Sequence, residues 1–164
     1  MVGEITSMAV KSAIAKRIRT AFATGSTPNI TYPTIYKEQI QQGIVKPYFF
    51  VWTINRAQRK WLRNRWGVTF QMQVRYHPTD TDLAAYETLE TVGAKLLETI
   101  STIEVPVSLN GTTETTIIAH GRELEYRIED GVLMAYATYS LSTVTYSTPL
   151  ADMEDLTLTE TVPN

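Results

Sequence analysis

The two segments Tyr48-Phe49-Phe50-Val51-Trp52 and Val68-Thr69-Phe70-Gln71-Met72-Gln73-Val74-Arg75-Tyr76 decide the fold. In the second, Val68, Phe70, Met72, Val74 and Tyr76 alternate with Thr69, Gln71, Gln73 and Arg75, the period-two pattern of a strand buried on one face. The first is a short apolar run of strand length. Together they predict a long β-hairpin spanning residues 46–78. Between the arms, residues 55–65 read as a charged connector carrying Arg56, Arg59, Lys60, Arg63 and Arg65 around Trp61, with Trp52 and Trp66 at its roots. No acid lies in it. A lone subunit gains little from gathering those charges and an indole on one connector, so the tip is expected to meet another molecule.

At 164 residues the chain suits one packed domain, expected to run to about residue 145. With 43% apolar and 20% charged residues it has a globular composition. It contains no cysteine, which excludes disulfide scaffolds, thiolate nucleophiles and cysteine zinc sites. No apolar run approaches the roughly 20 residues of a membrane span, so no membrane partner is expected. The net charge is only -2, but residues 1–76 hold 12 Lys/Arg against 2 Asp/Glu while residues 77–164 hold 3 against 15. Such a two-sided subunit suits head-to-tail association, in which the basic patch of one copy meets the acidic patch of the next. The plainer reading is that the charges sit on separate solvated surfaces. Nucleic acid is the competing partner for the basic half, although the acidic half would oppose a polyanion.

Taken in order, residues 5–22 form an amphipathic helix with Val10, Ile14, Ile18, Ala21 and Phe22 on one stripe. A short strand around Ile35 and Tyr36 precedes the hairpin. After Pro78, Thr79 to Asp82 give a helix-capping pattern. Leu83, Tyr86, Leu89, Gly93, Leu97, Ile100 and Ile103 then recur at helical spacing, with Gly93 marking a close approach to another backbone. Residues 105–109 read as a short strand and 110–115 as a polar loop. Residues 123–128 alternate, with Leu124, Tyr126 and Ile128 inward, and Asp130-Gly131 supplies a tight turn into a last strand from Val132 to about Val144. From Tyr146 onward Asp152, Glu154, Asp155 and Glu160 occur without a base, which reads as an extended or flexible acidic arm over 146–164. The fold class is therefore α+β: a four- to five-stranded antiparallel sheet with a long hairpin, flanked by an N-terminal and a central helix.

Evidence for catalysis is weak. His77 and His120 are read as ordinary surface histidines, the latter in a loop, and no nucleophile, metal-ligand or phosphate-cradling pattern accompanies them. Asp80 and Asp82 beside a helix start are read as caps rather than metal ligands. No cofactor is expected. Trp52, Trp61 and Trp66 with the arginines would make a stacking platform for single strands, but core packing is the preferred role for Trp52 and Trp66.

Gln42-Gly43 before Lys46-Pro47-Tyr48-Phe49-Phe50-Val51, an Arg-rich turn into Arg75-Tyr76-His77-Pro78, and Tyr126-Arg127-Ile128-Glu129-Asp130-Gly131-Val132-Leu133 together resemble tail terminator proteins of long-tailed bacteriophages and prophages. The resemblance implies a structural, non-enzymatic subunit that forms a hexameric ring on the head-proximal end of the tail tube. Such a ring stops tube polymerisation and offers the docking surface for the head connector. The implied partners are further copies of the chain, the tail tube protein and a head-completion protein, with DNA only as cargo passing through the ring. The implied location is the virion tail, after assembly in the host cytoplasm. Arg56, Arg59, Lys60, Trp61, Arg63 and Arg65 on one side, and Asp152, Glu154 and Asp155 on the other, are the expected interface residues. The stretch 107–121 and the acidic arm are longer than a minimal member of that family needs. Another neck or head–tail joining protein, or a nucleic-acid-binding accessory protein, is the alternative reading.

Overall fold

The computed structural model describes residues 5–23, 34–38, 44–62, 65–79, 83–109 and 113–144. The cap expected around Asp80 and Asp82, the centre of the polar loop and the acidic arm lie outside them. Helix α1 (Ser7–Ala21) starts where Thr6 Oγ1 accepts the Ala9 N–H at 3.1 Å. That bond satisfies one of the four N–H groups that a helix start leaves unpaired. Val10, Ile14 and Ile18, one turn apart, are fully buried.

Six strands follow the order β1-β2-β3-β6-β5-β4. They are β1 (Thr34–Tyr36), β2 (Tyr48–Leu62), β3 (Arg65–His77), β4 (Thr102–Leu109), β5 (Thr113–Glu129) and β6 (Val132–Val144). Helix α2 (Leu83–Ile100) stands between β3 and β4 in sequence. β1 runs parallel to β2, so the sheet is mixed and has one strand more than the expected maximum. The added length comes from β4 and β5. Thr113, Thr115, Thr116, Ile117 and Ile118 are β-branched residues that favour a pleated ladder over the expected loop, and they pair with residues 104–109. His120 therefore sits in β5, opposite Thr102, rather than in a loop.

Both helices pack on one face of the sheet. Phe22 at the end of α1 meets the Phe49 ring at 5.3 Å, and Gly93 of α2 faces Tyr126 and Leu133. A Cβ at Gly93 would lie 2.9 Å from the Tyr126 ring, so the close neighbour is a side chain and not the expected backbone. Because α1 touches both β2 and β4, which are far apart in strand order, the sheet curls around it. α2 ends at Ile100, and Ile103, expected on the helix, instead enters the core from β4. The stop is tied down by Tyr139, whose hydroxyl donates to the Ile100 carbonyl at 2.6 Å. Burial pushes that phenol far above its ordinary pKa, so it stays a donor.

The Asp130-Gly131 turn has φ of 51° and 73° and joins β5 to β6 as expected. A β-branched residue at the second position has to adopt the left-handed region, at a cost of about 1–3 kcal/mol. Gly131→Val should therefore lower the melting temperature by several degrees in a thermal unfolding curve, taking roughly 2–4 °C per kcal/mol for a chain of this size. An unchanged midpoint would show that the turn tolerates a side chain there.

Candidate functional site

The second face of the sheet carries no helix among the described residues, and a continuous polar network crosses it. Gln73, only 6% exposed, donates from Nε2 to the Tyr136 hydroxyl at 2.9 Å and accepts at Oε1 from Arg75 Nε at 2.8 Å. Tyr136 in turn donates to Met134 Sδ at 3.8 Å, and Arg127 lies over its ring at 5.2 Å. Arg127 pairs with Glu125 at 3.0 Å, and that hydrogen bond is the main cause raising its pKa. Thr138 donates to Glu123 at 2.9 Å. These bonds fix the side chains before any partner arrives.

Three irregularities bound this face. β3 and β6 pair without interruption from Arg65↔Val144 to Tyr76↔Leu133, but the strands on either side of that ladder each carry bulges. In β2 the register shifts between Thr53 and Asn55, leaving Ile54 as an extra residue, and again between Lys60 and Leu62, where the extra residue is Trp61. In β5 it shifts between Arg122 and Glu125, and Glu123 takes φ 52° there. A bulge re-aims the side chain it carries and reverses which residues beyond it face each side. Ile54, Gln71, Tyr136, Thr138, Glu123 and Glu125 consequently line a groove of about 440 Å³ across the open face, floored by the backbone at Met72 and Ala137.

The same reversal sorts the basic residues. The expected connector is not a loop, because the strands run on to Leu62 and resume at Arg65. Before Ile54, the residues Phe49, Val51 and Thr53 share a face with the core residues of β3. Beyond it Arg56, Gln58 and Lys60 do so, opposite Phe70, Val68 and Trp66. Arg56 lies over the Phe70 ring at 5.8 Å and Lys60 over Trp66 at 5.7 Å. Both charged groups thus lie against aromatic rings of the neighbouring strand. Arg59, opposite Gly67, and Arg65 are left on the open face. Trp61 lies there too: its indole covers Gly67 so closely that a Cβ would fall 2.7 Å from the ring, yet it remains 59% exposed. Arg63, Asp152, Glu154 and Asp155 lie outside the described residues.

Trp52, expected in the core, is 44% exposed and stacks on Phe50 at 5.8 Å with Lys11 over its ring at 5.4 Å. It pairs with Gln73, a position on the open face. Trp66 is half-buried. His77 stacks on Tyr48 at 4.4 Å, and burial, followed by the charges of Lys46 and Arg75, holds its pKa below the ordinary value. Among the described residues there is no group of three His, Asp or Glu placed to hold a metal. Sequence reasoning missed Ile54, Glu123 and Glu125, since only the strand register reveals the bulges that aim them.

A six-stranded curled sheet with helices on one face, a polar open face on the other and a basic hairpin tip defines an α+β subunit. Residues 9–149 match the family model described as phage tail terminator protein, and the chain belongs to that family. It is thus a structural component of a phage tail. No curated protein sequence matches it.

The contact between Trp61 and Gly67 is testable in isolation. Gly67→Ala should lift the indole from the arm, seen as stronger quenching of tryptophan fluorescence by acrylamide. In a Trp61→Ala background the same substitution should cost less stability, the non-additivity expected of touching residues. Additive effects in that cycle would place the indole elsewhere.

Proposed function

We propose that the protein forms a hexameric ring on the head-proximal end of the tail tube, ending tube polymerisation and offering the surface on which the head connector docks. Membership of the tail terminator family carries this reading. The basic arm gives it physical support. Arg59 and Arg65 share no ion pair with any acid among the described residues, and they stand beside an exposed indole at the tip of the β2–β3 hairpin, which β6 accompanies as far as Val144. Like charges held together raise one another's potential, which an acidic surface on a neighbouring molecule relieves. Arg63 extends the basic side of this interface, Arg56 and Lys60 add positive charge from the other face of the same hairpin, and Asp152, Glu154 and Asp155 of the acidic arm add to the opposing side. DNA passes through the ring as cargo. The tube protein and a head-completion protein are the partners below and above.

Images of virions or of isolated tube ends test the ring directly. Six copies are expected at the end of the tube that joins the head, and single copies spread along the tube would overturn the assignment. The chemistry of the contact has its own signature. Exposed ion pairs contribute only about 0–1 kcal/mol each and are screened over roughly 8–10 Å at ordinary salt, whereas a buried indole contributes at any salt. Arg59→Glu with Arg65→Glu should weaken association most at low ionic strength. Trp61→Ala should weaken it at all ionic strengths and leave the subunit folded. Sedimentation across a salt series reads both. Unfolding of the Trp61→Ala chain would make the arm part of the subunit's own core.

A further inference from the structure

Resting on the assembly reading above, the geometry points to the receiving surface: the arm tip of one copy docks into the open-face groove of a second copy. Trp61 enters against Ile54 and Tyr136, and Arg59 and Arg65 meet Glu123 and Glu125. Charge and shape agree. The groove, at about 440 Å³, falls within the range of sites that enclose a drug-sized ligand. Its apolar part comes from the exposed Ile54 and the Tyr136 ring, and its carboxylates lie along one strand. Glu123 and Glu125 each accept one bond within the subunit, from Thr138 and Arg127, which leaves acceptor positions for an incoming guanidinium.

The occupant is a second copy because the subunit's own tip is held away. Gly67, under Trp61, and Gln71, in the groove, stand four residues apart on β3, about 13 Å at roughly 3.3 Å per residue. Both lie in the unbroken β3–β6 ladder, so neither can fold toward the other. Tip and groove also face the same way, and only another molecule can present a tip to that groove. A contact between two different patches of identical subunits is heterologous, the type that closes into rings.

The absence of native cysteine makes disulfide trapping clean. Arg65→Cys puts a thiol at the tip, and Thr138→Cys puts one in the groove, leaving Trp61, Glu123 and Glu125 in place. Mixing the two single variants under mild oxidation should give a covalent dimer containing one of each. Reversing Glu123 and Glu125 to lysine in the groove variant should lower its yield several-fold, and reversing Arg59 to glutamate in the tip variant should recover part of that loss. A disulfide between two Arg65→Cys chains, with none to Thr138→Cys, would overturn the proposal in favour of tip-to-tip pairing. A chain carrying both cysteines separates this inference from the ring. A ladder of products up to six supports both. A product that stops at two supports the docking, through reciprocal contacts, and overturns the ring. Hexamers seen by native mass spectrometry without the trapped pair leave the ring standing and overturn the docking, and neither product overturns both.

Discussion

The uninterrupted antiparallel ladder between β3 and β6 is the constraint on which the rest of the structure depends. Twelve consecutive pairs, from Arg65↔Val144 to Tyr76↔Leu133, keep one register. A one-residue slip would carry Val68, Phe70, Met72 and Val74 from the core to the open face, so the apolar alternation locks it. The inner strands cannot absorb irregularity without breaking that pattern. It is displaced to their neighbours, β2 and β5, where the extra residues are Ile54, Trp61 and Glu123. The features that distinguish the open face are thus consequences of an orderly centre.

What the sequence made legible follows from this division. The alternation in 68–76 and the Asp130-Gly131 turn mark the ladder and its connection, and the structure has both where periodicity places them. Helix α1 was equally readable, since Val10, Ile14 and Ile18 recur one turn apart. The bulges were not. A single extra residue leaves composition and hydrophobicity almost unchanged while reversing the facing of every residue beyond it, so the strand character of residues 55–62 is hidden; Trp52 lies before the bulge, and the unbroken apolar run 48–52 shows no alternation that would place it on the open face. Period-two counting also fails where threonine alternates with little apolar contrast, which hid the start of β5. Conversely, Glu123 and Glu125 were legible as outward residues but not as neighbours of Ile54, because that proximity crosses four strands.

The hairpin carries charge on both faces. Arg56 lies over the ring of Phe70, itself a core residue, and Lys60 over that of the half-buried Trp66. Such a contact contributes about 0.5–1 kcal/mol at an exposed site. The charges therefore do two jobs according to face. Arg56 and Lys60 lie against rings of their own strand pair, whereas Arg59 and Arg65 meet no acid among the described residues.

This sorting bears on how a subunit with nearly balanced charge becomes directional. Among the described residues the basic tip and the two groove carboxylates are held on paired strands, which keep the tip from reaching that groove within the subunit. A flexible basic loop would collapse onto its own carboxylates and lose the difference between its ends. Strand pairing out to Leu62 and Arg65 prevents that collapse and keeps the two charged surfaces a set distance apart. In the proposed docking, the angle between tip and groove decides whether successive copies close on themselves or run on, because the same heterologous contact permits either. For the ring proposed above that angle is the critical quantity. A ring that ends a polymer must not itself polymerise without limit, and in the proposed docking a stiff arm whose direction is set by the β3–β6 register would hold the angle constant from copy to copy.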